Sequence, residues 1–123
     1  MSSEFTPMLD GLTRQRGVRA ALVASEQDGI VVDSSLQIGQ SGDRVAALAA
    51  SLYRKARLSA QAAGLGAVSF MQLEAPHGRL CAVGAGDLVL VVVAEPAVNV
   101  GLVRVELLRA VGELLAVGGE ARD

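Results

Sequence analysis

One histidine, one cysteine and a few spaced carboxylates are the groups in this chain that could carry reactive chemistry. Nucleophilic catalysis by a Ser-His-Asp or Cys-His arrangement would have to use His77. That residue lies in the segment APHG, whose proline and glycine mark a hairpin turn, so it reads as a solvated polar residue. Cys81 sits in an apolar, strand-like stretch and reads as packing. A structural zinc site takes a tetrahedral set of mainly Cys and His ligands, which one of each cannot supply. The acidic pairs Asp28 with Asp33 and Glu106 with Glu113 bracket a turn and space about two turns of helix respectively, so both read as solvated. No GxxxxGKS or GxxxxGKT loop occurs, and Gly64, Gly66 and the glycines at 84 and 86 do not form a dinucleotide fingerprint. The chain is expected to hold no cofactor and no metal, and to be no enzyme in its own right.

The longest element that could position a functional surface runs from Ser41 to Ala63. As a helix it would span roughly 35 Å. Val45, Leu48, Ala49, Leu52, Ala56, Ser59, Ala60 and Ala63 recur at i, i+3, i+4 and i+7, which predicts that this face lies on a sheet. Ser41 is placed to cap the start, Asp43 suits the positive end of the dipole, and Gly64 suits a left-handed terminating residue. The opposite face is expected to be a contact surface. Ala46, Ala47, Ala50 and Gln61 form an outward strip flanked by Arg54 and Arg57, with Leu58 beside it. Between Asp43 and Glu74 the chain holds four basic and no acidic residues, while the other 7 basic and 13 acidic residues leave −6 elsewhere.

A chain of 123 residues, 51% hydrophobic, with mean hydropathy +0.43, fits one domain over residues 1–123 with an aliphatic core and a short frayed tail from about residue 117. Phe5, Tyr53 and Phe70 are the only aromatics, which argues against base stacking, and a net charge of −2 argues further against a nucleic-acid partner. The single cysteine suits a reducing compartment, the MSSEF start does not resemble a signal peptide, and the wholly apolar runs are too short to insert in a membrane. A cytoplasmic location is expected.

In order, residues 3 to 16 read as a first helix through Phe5, Met8, Leu9 and Leu12, with Thr6 before Pro7 as an alternative start. Val18 to Ser25 and Ile30 to Ser34 read as a hairpin about Asp28 and Gly29. After the long helix come strands at Ala67 to Glu74, Arg79 to Ala85 and Leu88 to Ala94. The last shows no alternation, so both its faces should be buried. Asn99 is placed to cap a final helix, Val100 to Leu115, with Val100, Val103, Leu107, Val111 and Leu114 inward. The predicted fold is α+β: a three-layer α/β/α sandwich with an antiparallel five-stranded sheet in the order 2-1-5-4-3. The long helix covers one face and the other two helices the opposite face.

This topology leaves the third strand as a free edge beside the long helix, without proline or lysine to block pairing. A homodimer about a two-fold axis is expected there, using Ala46, Ala49, Tyr53, Ser69 and Met71.

The GV that ends the first helix, the hairpin EQDGIVVDS, the alanine-rich helix and the run from His77 to Leu115 opening on Asn99-Val100-Gly101-Leu102 resemble the bacterial branch of the Roadblock family. That family is related to dynein light chains and to gliding-motility regulators of small GTPases. The resemblance implies the same fold, a dimer through the third strand and long helix, and a Ras-like small GTPase as partner. Carried onto this chain, the docking platform would include Ala50, Arg54, Arg57, Leu58 and Gln61. Neither arginine is marked as a finger that enters the partner's site; remodelling of the GTPase's own switch segments fits a platform helix better. The alternative is a structural adaptor whose binding ignores nucleotide.

Overall fold

The computed structural model describes residues 5–36 and 42–122. Its elements are α1 (Thr6–Thr13), β1 (Val18–Ser25), β2 (Val31–Leu36), α2 (Gly42–Ala62), β3 (Met71–Ala75), β4 (Gly78–Ala85), β5 (Leu88–Ala94) and α3 (Val100–Arg122). One antiparallel sheet joins the five strands in the order β2-β1-β5-β4-β3, as the sequence predicts.

Alternation along the strands divides the core into two layers. Ala21 and Val23 of β1 with Leu90 and Val92 of β5 face α1 and α3, where Leu9, Leu12, Val103, Leu107 and Leu114 close the layer. Leu22 and Ala24 with Val89 and Val91 face the other way, against Ala46, Ala49 and Tyr53 of α2. β5, the middle strand, therefore buries side chains on both faces, which is why its sequence lacks alternation.

Local signals explain most boundaries. α2 ends with Gly64 at φ +73; the Leu65 amide donates to the Ala60 carbonyl and the Gly64 amide to the Gln61 carbonyl, a Schellman stop. Asn99 Oδ1 accepts from the Leu102 amide at 3.1 Å and starts α3. The capping role expected of Ser41 lies outside the described residues.

Four expectations need correction. α1 is shorter than residues 3–16: it begins at Thr6, with Pro7 in its first turn, and stops at Thr13. β2 begins at Val31 and runs to Leu36, and a bulge between Val23 and Ala24 turns Val32 outward. β3 begins at Met71, not Ala67. Val68 and Met71 pack in the α2 layer while Phe70 packs in the other, and a 68/71 spacing is not strand alternation. α3 continues through Gly118 and Gly119 to Arg122, past the point where fraying was expected.

Candidate functional site on the long helix

α2 lies on the sheet through its smallest side chains. Ala46, Ala49, Ala50 and Tyr53, at i, i+3, i+4 and i+7, are each no more than 4% exposed. Tyr53 reaches across to β4, where its ring lies over Gly84: a Cβ on that glycine would stand 2.8 Å from Tyr53 Cζ. The Tyr53 hydroxyl has a backbone hydrogen bond with Gly84, and burial, followed by the nearby Glu26 carboxylate, pushes its pKa above the ordinary tyrosine value.

The inward face is thus rotated from the predicted one. Leu48, expected against the sheet, is 66% exposed, and Leu52 is also exposed. Alanines let the helix axis approach the sheet closely, and the leucines of the neighbouring stripe are left outside. Ala50, assigned to the docking platform, and Ala46, Ala49 and Tyr53, assigned to the dimer interface, are instead packed against the sheet of their own chain. Met71 is half-buried at the start of β3, while Ser69 is exposed in the segment that precedes it.

The two arginines do lie together on one flank, and each reaches the β1–β2 turn. Arg57 Nη2 and Nε both donate to Glu26 Oε1, at 2.6 and 3.0 Å. Arg54 Nη1 donates to the Gln27 carbonyl at 3.2 Å. The Glu26 hydrogen bond and charge push the Arg57 pKa up, so its charge is permanent. Gly29 sits in the same turn at φ +70, and a Cβ there would stand 2.8 Å from the Ala47 Cα; helix and turn are in direct contact. The Glu26 amide also donates to the Asp87 carbonyl, tying the β4–β5 turn alongside. Ser25, Glu26, Gln27, Arg54, Arg57, Gly86 and Asp87 line an open cleft of about 610 Å³. Its two guanidiniums and two carboxylates suit a mixed-charge protein surface better than a free anion.

Leu58 and Gln61 are exposed, as a platform requires, and Leu58 lies one turn from Arg54. On the other flank, Leu48 and Leu52 extend the exposed apolar surface, and Leu73 on the edge strand β3 is 44% exposed. The sequence reasoning missed these three residues as contact candidates. The signal was present, because Ala46-Ala49-Ala50-Tyr53 is as regular a stripe as the one chosen, and only one of two adjacent stripes can face a sheet.

Among the described residues the reactive groups are not gathered at one place. His77 is exposed in the two-residue β3–β4 turn, and Cys81 is buried mid-strand with its thiol pKa pushed up by burial. Among the described residues no group of three or more His, Cys, Asp or Glu side chains could hold a metal ion, and no helix is long and apolar enough to cross a membrane. Asp33 is not simply solvated: its Oδ2 accepts from the Thr6 hydroxyl at 2.9 Å and so helps to fix α1 on β2. Glu106 pairs with Arg109 at 3.4 Å.

Comparison with known proteins agrees with this fold. The family model of the Roadblock/LC7 domain matches residues 5–94. An uncharacterized protein of Methanocaldococcus jannaschii is 30% identical over 106 residues, 86% of this chain and 92% of that protein. The crystal structure of a Roadblock/LC7 domain from Streptomyces avermitilis superposes with a TM-score of 0.81 at 25% identity, covering 91% of this chain and 95% of that one. Myxococcus xanthus MglB has the same fold, with a TM-score of 0.82 at 22% identity over 96% and 99% of the two chains.

Proposed function

The chain belongs to the Roadblock/LC7 domain family, and on that premise we propose that it is a homodimeric binding platform for a Ras-like small GTPase, with a GTPase-activating role exerted on the partner's own site. The observation that carries this reading is the outer side of α2, where Arg54 and Arg57 are held in place against the β1–β2 turn beside the exposed Leu58 and Gln61. Arginine is enriched in protein-binding hot spots, and these two are fixed in advance of binding. Balanced in the cleft by Glu26 and Asp87, their guanidiniums favour a mixed-charge GTPase surface, and complementarity there orients encounter.

The role is regulatory. Both arginines are engaged within their own chain, which favours docking over insertion of a finger into the partner's site. A platform that binds one switch state more tightly shifts the GTPase toward that state.

The dimer would form through β3 and the second flank of α2. β3 is a sheet edge, four of its five residues are exposed, Leu73 among them, and Leu48 and Leu52 are exposed on the helix that covers this face of the sheet. Joining two such edges about a two-fold axis would cover the apolar surface and set two α2 helices side by side.

Tagged protein is used to capture partners from lysate of the source organism in a non-hydrolysable GTP analogue and again in GDP. A small GTPase retained in the first condition and depleted by Leu58→Glu supports the reading. The same partners in both conditions, with no GTPase among them, identify a nucleotide-independent adaptor instead.

A further inference from the structure

The sheet has two edges, and they are not alike. β2 closes one side with the sequence VVDSSL, which carries no proline and no basic residue. Ile30 just before it, and Val32 and Leu36 within it, are 64%, 46% and 39% exposed. An apolar rim of this kind is a template on which another strand can pair. Backbone direction fixes which amides such a strand would meet. The Ser25 amide donates to the Ile30 carbonyl, so Val23 and Ala21, two and four residues earlier in β1, also turn their backbone groups toward β2, where Asp33 and Ser35 face them. Ser34, between those two, turns its amide away from the sheet.

That outward amide is already taken. It donates to Asp33 Oδ1 at 2.8 Å, while Asp33 Oδ2 accepts from the Thr6 hydroxyl at 2.9 Å. The other end of α1 is also fastened to β2, where the Thr13 and Ser35 hydroxyls are 2.8 Å apart. The carboxylate thus stands at the rim with both oxygens in use, one on the strand and one on the helix. β3, the other edge, has no such device. Its turn closes on the Ala75–Gly78 pair, which leaves Gln72 and Glu74 with outward amides, and among the described residues no side chain caps either one. The Glu74 side chain reaches Arg79 on β4 instead.

We infer that Asp33 is an edge guard: held by Thr6, its carboxylate occupies the Ser34 amide and keeps added strands off β2, so that strand pairing is directed to β3. An incoming strand would have to offer a carbonyl oxygen to the Ser34 amide, where a carboxylate oxygen already sits. It would also bring the negative end of that carbonyl against a full negative charge, and a charged acceptor holds an amide more strongly than a neutral one. The guard acts whatever partner α2 takes, so it stands apart from the GTPase reading.

The test is amide hydrogen exchange read by NMR, together with sedimentation velocity over a concentration series. In the wild-type chain the Ser34 amide should exchange at least about tenfold more slowly than in the unfolded chain, at every concentration. Asp33→Val should speed that exchange about tenfold in dilute solution. As concentration rises, the Asp33→Val chain should gain mass over the wild type, and its Ser34 amide should slow again as it enters a ladder. Adding Ser34→Pro should return the mass to that of the wild type, because proline removes the amide and is tolerated at a strand edge, whereas general stickiness would survive it. A wild-type Ser34 amide that exchanges at the unfolded rate would overturn the proposal without any variant. So would an Asp33→Val chain that folds and matches the wild type in mass throughout, or one whose association Ser34→Pro leaves intact.

Discussion

Arg57 and Glu26, 31 residues apart in sequence, meet at 2.6 Å and lock the middle of α2 to the turn between β1 and β2. The carboxylate side chain is 13% exposed and the guanidinium 40%, so the pair is partly shielded from solvent. Arg57→Ala should lower the urea midpoint, and so should Glu26→Gln, with the double variant less destabilised than the sum of the two. Added salt should shrink the coupling. Strict additivity in that cycle would mean that the contact does not hold the turn.

Tyr53 and Gly84 set how closely α2 approaches the sheet. Gly84→Ala forces the ring away and should cost about 1–3 kcal/mol by overpacking. Tyr53→Phe removes the hydroxyl's backbone hydrogen bond with Gly84 and should cost about 1 kcal/mol. Chemical denaturation of the two variants measures both.

The rotation of α2 predicts opposite responses from adjacent residues. Ala49 is 1% exposed and Leu48 66%. Ala49→Leu should destabilise the fold by about 1–3 kcal/mol. Leu48→Ala should leave the stability of the single chain within about 0.5 kcal/mol, as surface changes do. If Leu48 belongs to the dimer contact, the same change should lower the mass measured by light scattering. Equal destabilisation by both would restore the face that hydropathy alone predicts.

Stability should fall at alkaline pH. Burial raises the pKa of the Tyr53 hydroxyl above its ordinary 10.0 and of the Cys81 thiol above its ordinary 9.0. Folded chains hold these protons more tightly than unfolded ones. The stability from each group is therefore fully present below its ordinary value and lost as pH rises through its raised one. Urea midpoints measured from pH 7 to pH 11 should decline in the upper part of that range, and the decline should be smaller in Tyr53→Phe and in Cys81→Ala.

Strand order, the central position of β5 and the inward residues of α3 were legible because alternation, its absence and helical spacing are local signals. So were the Asn99 cap and the Gly64 stop. The face of α2 was not. Hydropathy ranks leucine above alanine, but close approach to a sheet selects for size, and Ala46, Ala49 and Ala50 win that contest while Leu48 and Leu52 do not. The β3 boundary was hidden because Val68 and Phe70 look like strand residues yet pack on opposite layers. The clamp of Arg54 and Arg57 on the β1–β2 turn spans about 30 residues of sequence and follows from the tertiary fold alone.

Affinity for a captured small GTPase, measured by calorimetry with the GTPase loaded first with a GTP analogue and then with GDP, tests the central claim most directly. Binding at least about tenfold tighter to the triphosphate form, and lost in Leu58→Glu while the thermal midpoint stays unchanged, is the expected result; tenfold corresponds to about 1.4 kcal/mol. Equal affinity for both forms would contradict a nucleotide-sensing platform and make the chain a structural adaptor.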